Sequence, residues 1–138
     1  MRGHASRVGI LTSFVLALLV FLVPSLRAHH SFAAEYGNEG VSLKGAVTKI
    51  EWHNPHVFFY IDVRDEQTEK VTNWALEMGA PAVIQRLGWT RTTMKIGDVV
   101  IVTGTKAKNG KPLANARSVV MASTGKKLGA GSSEGVNP

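Results

Sequence analysis

The chain has 138 residues, no cysteine, and 16 Lys and Arg against 10 Asp and Glu, for a formal charge of +6. That length suits one domain and is short for two. The absence of cysteine excludes disulfides, thiolate metal sites, thiol redox chemistry and a cysteine nucleophile, so any metal must be held by nitrogen, oxygen or methionine sulfur.

Residues 1–28 read as a removable secretory signal. Arg2, His4 and Arg7 form a basic start, Val8 to Val23 an apolar run, and Pro24 to Ala28 a short polar exit ending in a small residue. The apolar run has 16 residues, whereas spanning hydrocarbon takes about 20, so cleavage is expected rather than anchoring. Ala28 is the preferred cleavage point, with Ser31-Phe32-Ala33 as a second small-x-small site. Cleavage after Ala28 leaves 110 residues and removes Arg2, Arg7 and Arg27, so 13 basic residues face 10 acidic ones and the charge falls to about +3. Half of the basic excess therefore belongs to the signal, which weakens a nucleic-acid reading of the high pI. The expected location is periplasmic or secreted.

Beyond the signal, residues 29–40 (HHSFAAEYGNEG) show no sustained period and end in turn residues, so they read as an arm. A first strand follows over 41–52. Val41, Leu43 and Val47 share one parity while Ile50 and Trp52 take the other, which predicts a bulge near Gly45 or Thr48. Asn54-Pro55 is a turn signal. In the second strand, 56–64, Val57, Phe59, Ile61 and Val63 alternate with His56, Phe58, Tyr60 and Asp62, and the first set makes the better core face.

A charged loop leads to a third strand over 71–78. Pro81 then opens a short helix to Leu87 that Gly88 stops, with Trp89 packing its end. A turn at 95–98 enters a fourth strand, 99–103, and Asn109-Gly110 marks a hairpin into a fifth, 113–121. The tail, 124–138, is rich in Gly, Ser and Lys and is expected to fray. The resulting class is mostly β. Three strands, a helix and two strands match the order of a small OB-like five-stranded barrel over 41–123, with an open β-sandwich fragment as the alternative.

Ala28-His29-His30-Ser31-Phe32, Gly45-x-Val47, Glu51-Trp52, Asn54-Pro55-His56, Asn73-Trp74, Gly79-Ala80-Pro81, Gly88-Trp89, Lys95-x-Gly97-Asp98 and Ala114-Asn115-Ala116-Arg117-Ser118 occur in order along the chain. In these motifs the sequence resembles the exported bacterial proteins of domain-of-unknown-function family 6152. The resemblance spans nearly all of the chain after the signal. It implies an exported single-domain protein of Gram-negative bacteria and brings no established activity. His53 departs from the resemblance, since the similar proteins more often carry a small hydroxyl residue there.

The candidate chemistry lies in histidines. Cleavage after Ala28 would place the α-amino group and imidazole of His29 on one ion, a donor pair with a strong preference for divalent copper. His30 adds a second imidazole, and His56 could supply a third across the sheet. The plainer reading makes His29 and His30 a solvated arm and His56 a cap on turn carbonyls, with His53 an exposed turn residue.

Glu51, Asp62, Glu77 and Asp98 are scattered without a spacing that pairs them for acid-base work, and read as solvated strand-end charges. Met78 and Met94 could be soft ligands but suit core filling better. Neither a phosphate loop nor a Gly-x-Ser-x-Gly elbow occurs, so catalytic machinery is not expected. The second functional class is a binding module. Trp52, Phe58 and Tyr60 would offer an aromatic face to a glycan, a peptide or an envelope protein. Packing of Phe58 and Tyr60 beneath the arm or helix is the alternative.

Overall fold

A computed structural model describes residues 32–132; the expected signal segment and the end of the tail lie outside them. A single-turn helix α1 (Phe32–Glu35) leads directly into β1 (Tyr36–Trp52). There follow β2 (Val57–Arg64), β3 (Val71–Glu77), helix α2 (Pro81–Arg86), β4 (Val99–Ala107), β5 (Leu113–Met121) and β6 (Lys127–Gly129). The mostly β class holds, but the described residues form six strands where five were expected. No helix among these residues is long and apolar enough to cross a membrane.

Neighbouring strands run antiparallel in the order β3-β2-β1-β4-β5-β6. In addition β3 pairs with β5 in parallel, Ala75 with Leu113, Leu76 with Ala114 and Glu77 with Asn115, so the sheet returns upon its first strand. The return follows from the chain between them, which supplies the crossover that parallel pairing requires.

Within β2 the alternation is as its sequence dictates. Val57, Phe59 and Ile61 are buried, whereas Phe58 and Tyr60 are half-buried on the opposite face. The expected bulge falls at Thr48. Val47 pairs with Ile61 and Lys49 with Tyr60, so Thr48 is the extra residue, and its hydroxyl donates to the Tyr60 carbonyl. This single insertion turns Ile50 and Trp52 to the side of Val47, where both pack on the core.

Three departures concern pairing. Residues 36–40, expected in the arm, belong to β1, and β4 runs to Ala107 instead of ending at Thr103. These two extensions are one event, because Tyr36 pairs with Ala107 and Gly40 with Thr105. The third is β6 in the tail expected to fray. Its Leu128 pairs with Val119 and packs against the core, and the Trp89 indole donates to the Gly129 carbonyl at 2.8 Å. Met78 and Met94 are buried in the same core as Ile84 and Trp89, in keeping with their reading as fillers.

Helix α2 begins with Pro81 in its first turn, and Gly88 leaves it with φ 93°. Gly104 is required for another reason. A Cβ there would collide with the backbone carbonyl of Asn115 where β4 and β5 change register. Gly104→Ala should therefore cost about 1–3 kcal/mol of folding stability, the usual range for forced overpacking, measurable by urea denaturation.

Candidate functional site

The outer end of the β2–β3–β5 seam holds the strongest polar cluster among the described residues, and its centre is Glu77. This residue is 5 % exposed although its parity on β3 turns it away from the core residue Leu76. Its register partners are Phe58 on β2 and Asn115 on β5, which wall it in on both sides.

A buried carboxylate requires donors, since its charge has lost water. Two come from separate parts of the chain. The Tyr36 hydroxyl, at the start of β1, donates to Oε2. His56 Nδ1, just before β2, lies 2.5 Å from Oε1. The Glu77 side chain is 7 % exposed and the His56 side chain 40 %, so the imidazole bridges the buried charge and solvent.

Burial is the main cause that pushes the Tyr36 phenol well above the usual tyrosine range. The hydrogen bond to Glu77 adds to it, as do the negative charges of Glu77 and Glu35. The polar row continues along the seam. Asn115 is buried beside Glu77 and accepts a 2.6 Å bond from the Ser132 hydroxyl, and buried Thr105 is its register partner on β4.

The segment preceding β1 is docked. The Phe32 ring stacks on Tyr36 with centroids 5.2 Å apart, and Lys108 Nζ donates to the Ala33 carbonyl at 2.6 Å. The Lys108 amide also donates to the Glu35 carbonyl. Of the expected metal ligands, His56 is therefore at this cluster, while His29 and His30 lie outside the described residues. Among the described residues no three His, Cys, Asp or Glu side chains converge as a metal site.

The expected aromatic face divides. Phe58 and Tyr60 share the outer face, where Phe58 lies between Glu51 and Glu77. Trp52 sits on the other face as the partner of Val57 and packs on the core, with the Arg91 guanidinium 5.6 Å from its ring. The outer face carries its own charge network. Glu51 accepts from the Tyr60 hydroxyl at 2.6 Å and from Lys49 Nζ at 2.6 Å, and Lys49 stands 5.0 Å over the Tyr60 ring. Bonding to Lys49, then to Tyr60, holds the Glu51 carboxyl below its usual range, and the bond to Glu51 raises the Tyr60 phenol. Exposed His53 lies beside this network, bonded only locally to the Asn54 carbonyl.

On the core side the cavity beside Trp52, Trp89, Arg91 and Met94 measures about 10 Å³, room for a single water at most. A more open hollow of about 290 Å³ lies elsewhere, between the 92–98 turn and the end of β5, lined by Thr92, Lys95, Asp98, Met121 and Lys126.

Glu77 is the residue that the sequence misplaced. It was expected as a solvated strand-end charge, and it is instead the buried acceptor shared by Tyr36 and His56. The one local hint was its place in a polar-poor run, Trp74-Ala75-Leu76-Glu77-Met78-Gly79. The parallel contact with β5 that encloses it has no local signature.

Residues 17–115 match the family of unknown function DUF6152. The chain belongs to that family, as the motifs from Ala28-His29-His30 to Ala114-Asn115 implied. No curated protein and no solved structure matches it.

The two tyrosines of the chain, Tyr36 and Tyr60, are both shifted upward. The neutral phenol is thus favoured by folding, and its contribution to stability is complete below the unfolded value near 10 and is lost as pH rises through the folded values. Ultraviolet titration of the metal-free protein should show tyrosinate appearing later than in unfolded chain. In Tyr36→Phe the most delayed phase should disappear.

Proposed function

We propose that the protein is an exported OB-like β-barrel domain that binds one copper(II) ion through His29, His30 and His56. The observation that carries this reading is the His56–Glu77 contact beside Tyr36. A histidine bonded to a carboxylate through one ring nitrogen keeps the other as a metal donor, the arrangement found behind most metal-ligating histidines. With Nδ1 on Glu77, that donor is Nε2 of a half-exposed ring.

Reach supports the same reading. Tyr36 ties the segment before β1 to the carboxylate that holds His56, and Phe32 stacks on Tyr36. His30 is two residues before Phe32, a contour of about 7 Å at full extension. A chain cleaved after Ala28 would add the α-amino group and imidazole of His29. Nitrogen donors without thiolate favour copper(II) over the other divalent first-row ions. Export is supported by the basic and apolar segments ahead of Ala28, and the barrel by the β3–β5 pairing that returns the sheet upon itself.

A second reading is favoured by the half-buried pair Phe58 and Tyr60 on the outer face. There an envelope protein, peptide or glycan could stack, with Trp52 excluded from that face by its packing on the core.

Protein purified from the periplasm of a Gram-negative host should begin at His29 by mass spectrometry. It should take up one equivalent of copper(II) by calorimetry, with release of protons. Equal affinity in a protein carrying Gly-Ser before His29 would exclude the N-terminal ligand. For the second reading, Phe58→Ala with Tyr60→Ala should abolish capture by peptidoglycan or envelope fractions while the protein stays folded by circular dichroism at the assay temperature. Capture retained in the folded variant would make both residues structural.

A further inference from the structure

We infer that Glu77 is a positioning residue that fixes which nitrogen of His56 is offered to a metal, and that Tyr36 holds Glu77 in the orientation for doing so. This rests on the copper reading above and adds the device that selects and strengthens one of its ligands.

A neutral imidazole has a single N–H, and an ionised carboxylate can only accept. The 2.5 Å contact between His56 Nδ1 and Glu77 Oε1 therefore places the ring proton on Nδ1 and the lone pair on Nε2. Binding a metal through Nδ1 instead would strip a donor from a buried carboxylate, which is costly because water cannot replace it there. The carboxylate has little freedom to adapt. Phe58 and Asn115 flank it across the sheet, and the Tyr36 hydroxyl occupies Oε2, so Oε1 stays turned to His56.

The carboxylate also strengthens the ligand. Drawing the Nδ1 proton toward Glu77 raises electron density on Nε2, an outer-shell effect that typically changes metal affinity 10–100-fold. Tyr36 is at once the first residue of β1 and a donor to Glu77, so the start of β1 and the turn residue His56 before β2 are held by opposite oxygens of one side chain. Anchoring of the β1 start and preparation of the His56 ligand thus depend on the same group.

The test compares the natural protein with Glu77→Gln, Tyr36→Phe and His56→Ala, each purified from the periplasm and titrated with copper(II). Pulsed electron paramagnetic resonance is the second readout, because it reports the remote nitrogen of each copper-bound imidazole and the hydrogen bond that nitrogen makes. Glu77→Gln can present either its oxygen or its amide NH₂ to the ring. It should weaken binding by about 10–100-fold and alter the remote-nitrogen coupling of one imidazole, the one that His56→Ala removes. Tyr36→Phe leaves the His56–Glu77 contact in place and should move both readouts in the same direction by less. It also decides the matter if Glu77→Gln does not fold. Unchanged affinity and coupling in both variants, while His56→Ala loses one imidazole, would overturn the role of Glu77 and leave the copper site standing. If His56→Ala matches the natural protein in both readouts, His56 is not a ligand and the underlying reading falls with the inference.

Discussion

A carboxylate buried on the outside of a sheet is the constraint from which much of this structure follows. Glu77 has lost water on both sides to Phe58 and Asn115, and an ionised group in that state must find donors or become neutral. It finds them in Tyr36 and His56, which come from the beginning of β1 and the turn before β2. Removing one partner of such a cluster is far more disruptive than never having built it, because the remaining charge stays buried. The start of β1, the entry to β2 and the end of β3 are thereby held together by polar contacts, while the apolar core holds the same strands from within.

The β3–β5 pairing makes that burial possible. Only three residues of each strand take part, yet these carry Leu76 and Ala114 on the core side and Glu77 and Asn115 on the other. The strip where the sheet returns is therefore apolar inside and polar outside, and the outer polar groups are covered. The tail adds to this. The Gly79 amide donates to the Ala130 carbonyl, the Ala130 amide to the Arg117 carbonyl, and Ser132 to Asn115. What reads in sequence as a low-complexity end thus supplies partners to the seam. Backbone amides and carbonyls, which every residue has, do most of that joining.

The elements that were legible in the sequence are those whose cause is local. Alternation in Val57-Phe58-Phe59-Tyr60-Ile61 sets the two faces of β2, Pro81 and Gly88 bound α2, and Asn109-Gly110 marks the turn into β5. The parity change between Val47 and Ile50 even located the bulge to one of two residues. Illegible were the features made by a distant partner. Gly37, Asn38 and Gly40 look like turn residues, yet they lie in a strand because the far end of β4 is there to pair with. Lys127-Leu128-Gly129 has no strand pattern of its own and is ordered by β5 and by Trp89. Glu77 belongs with these, since its burial depends on residues 38 and 41 positions away in sequence, Asn115 and Tyr36.

The same division explains how the candidate site was half visible. His56 stood out because its parity sets it opposite the core residues Val57, Phe59 and Ile61. Its partner did not, because acidic residues on an outer face are usually solvated. The aromatic set behaved similarly. Phe58 and Tyr60 follow their strand parity, whereas Trp52 follows the bulge at Thr48, one insertion upstream, and so belongs to the core side with Arg91 capping its ring. With the interior filled around a cavity no larger than a water, the two outer clusters differ in what they leave available. In the Lys49–Glu51–Tyr60 network each polar end meets another, and the Lys49 ammonium covers one face of the Tyr60 ring. In the Tyr36–Glu77–His56 cluster the carboxylate is enclosed but the imidazole is not, and its second nitrogen has no part in the bond to Glu77. The buried anion thus fixes one nitrogen of a ring that stays half-exposed, so the polar cluster ends at the surface and not in the core.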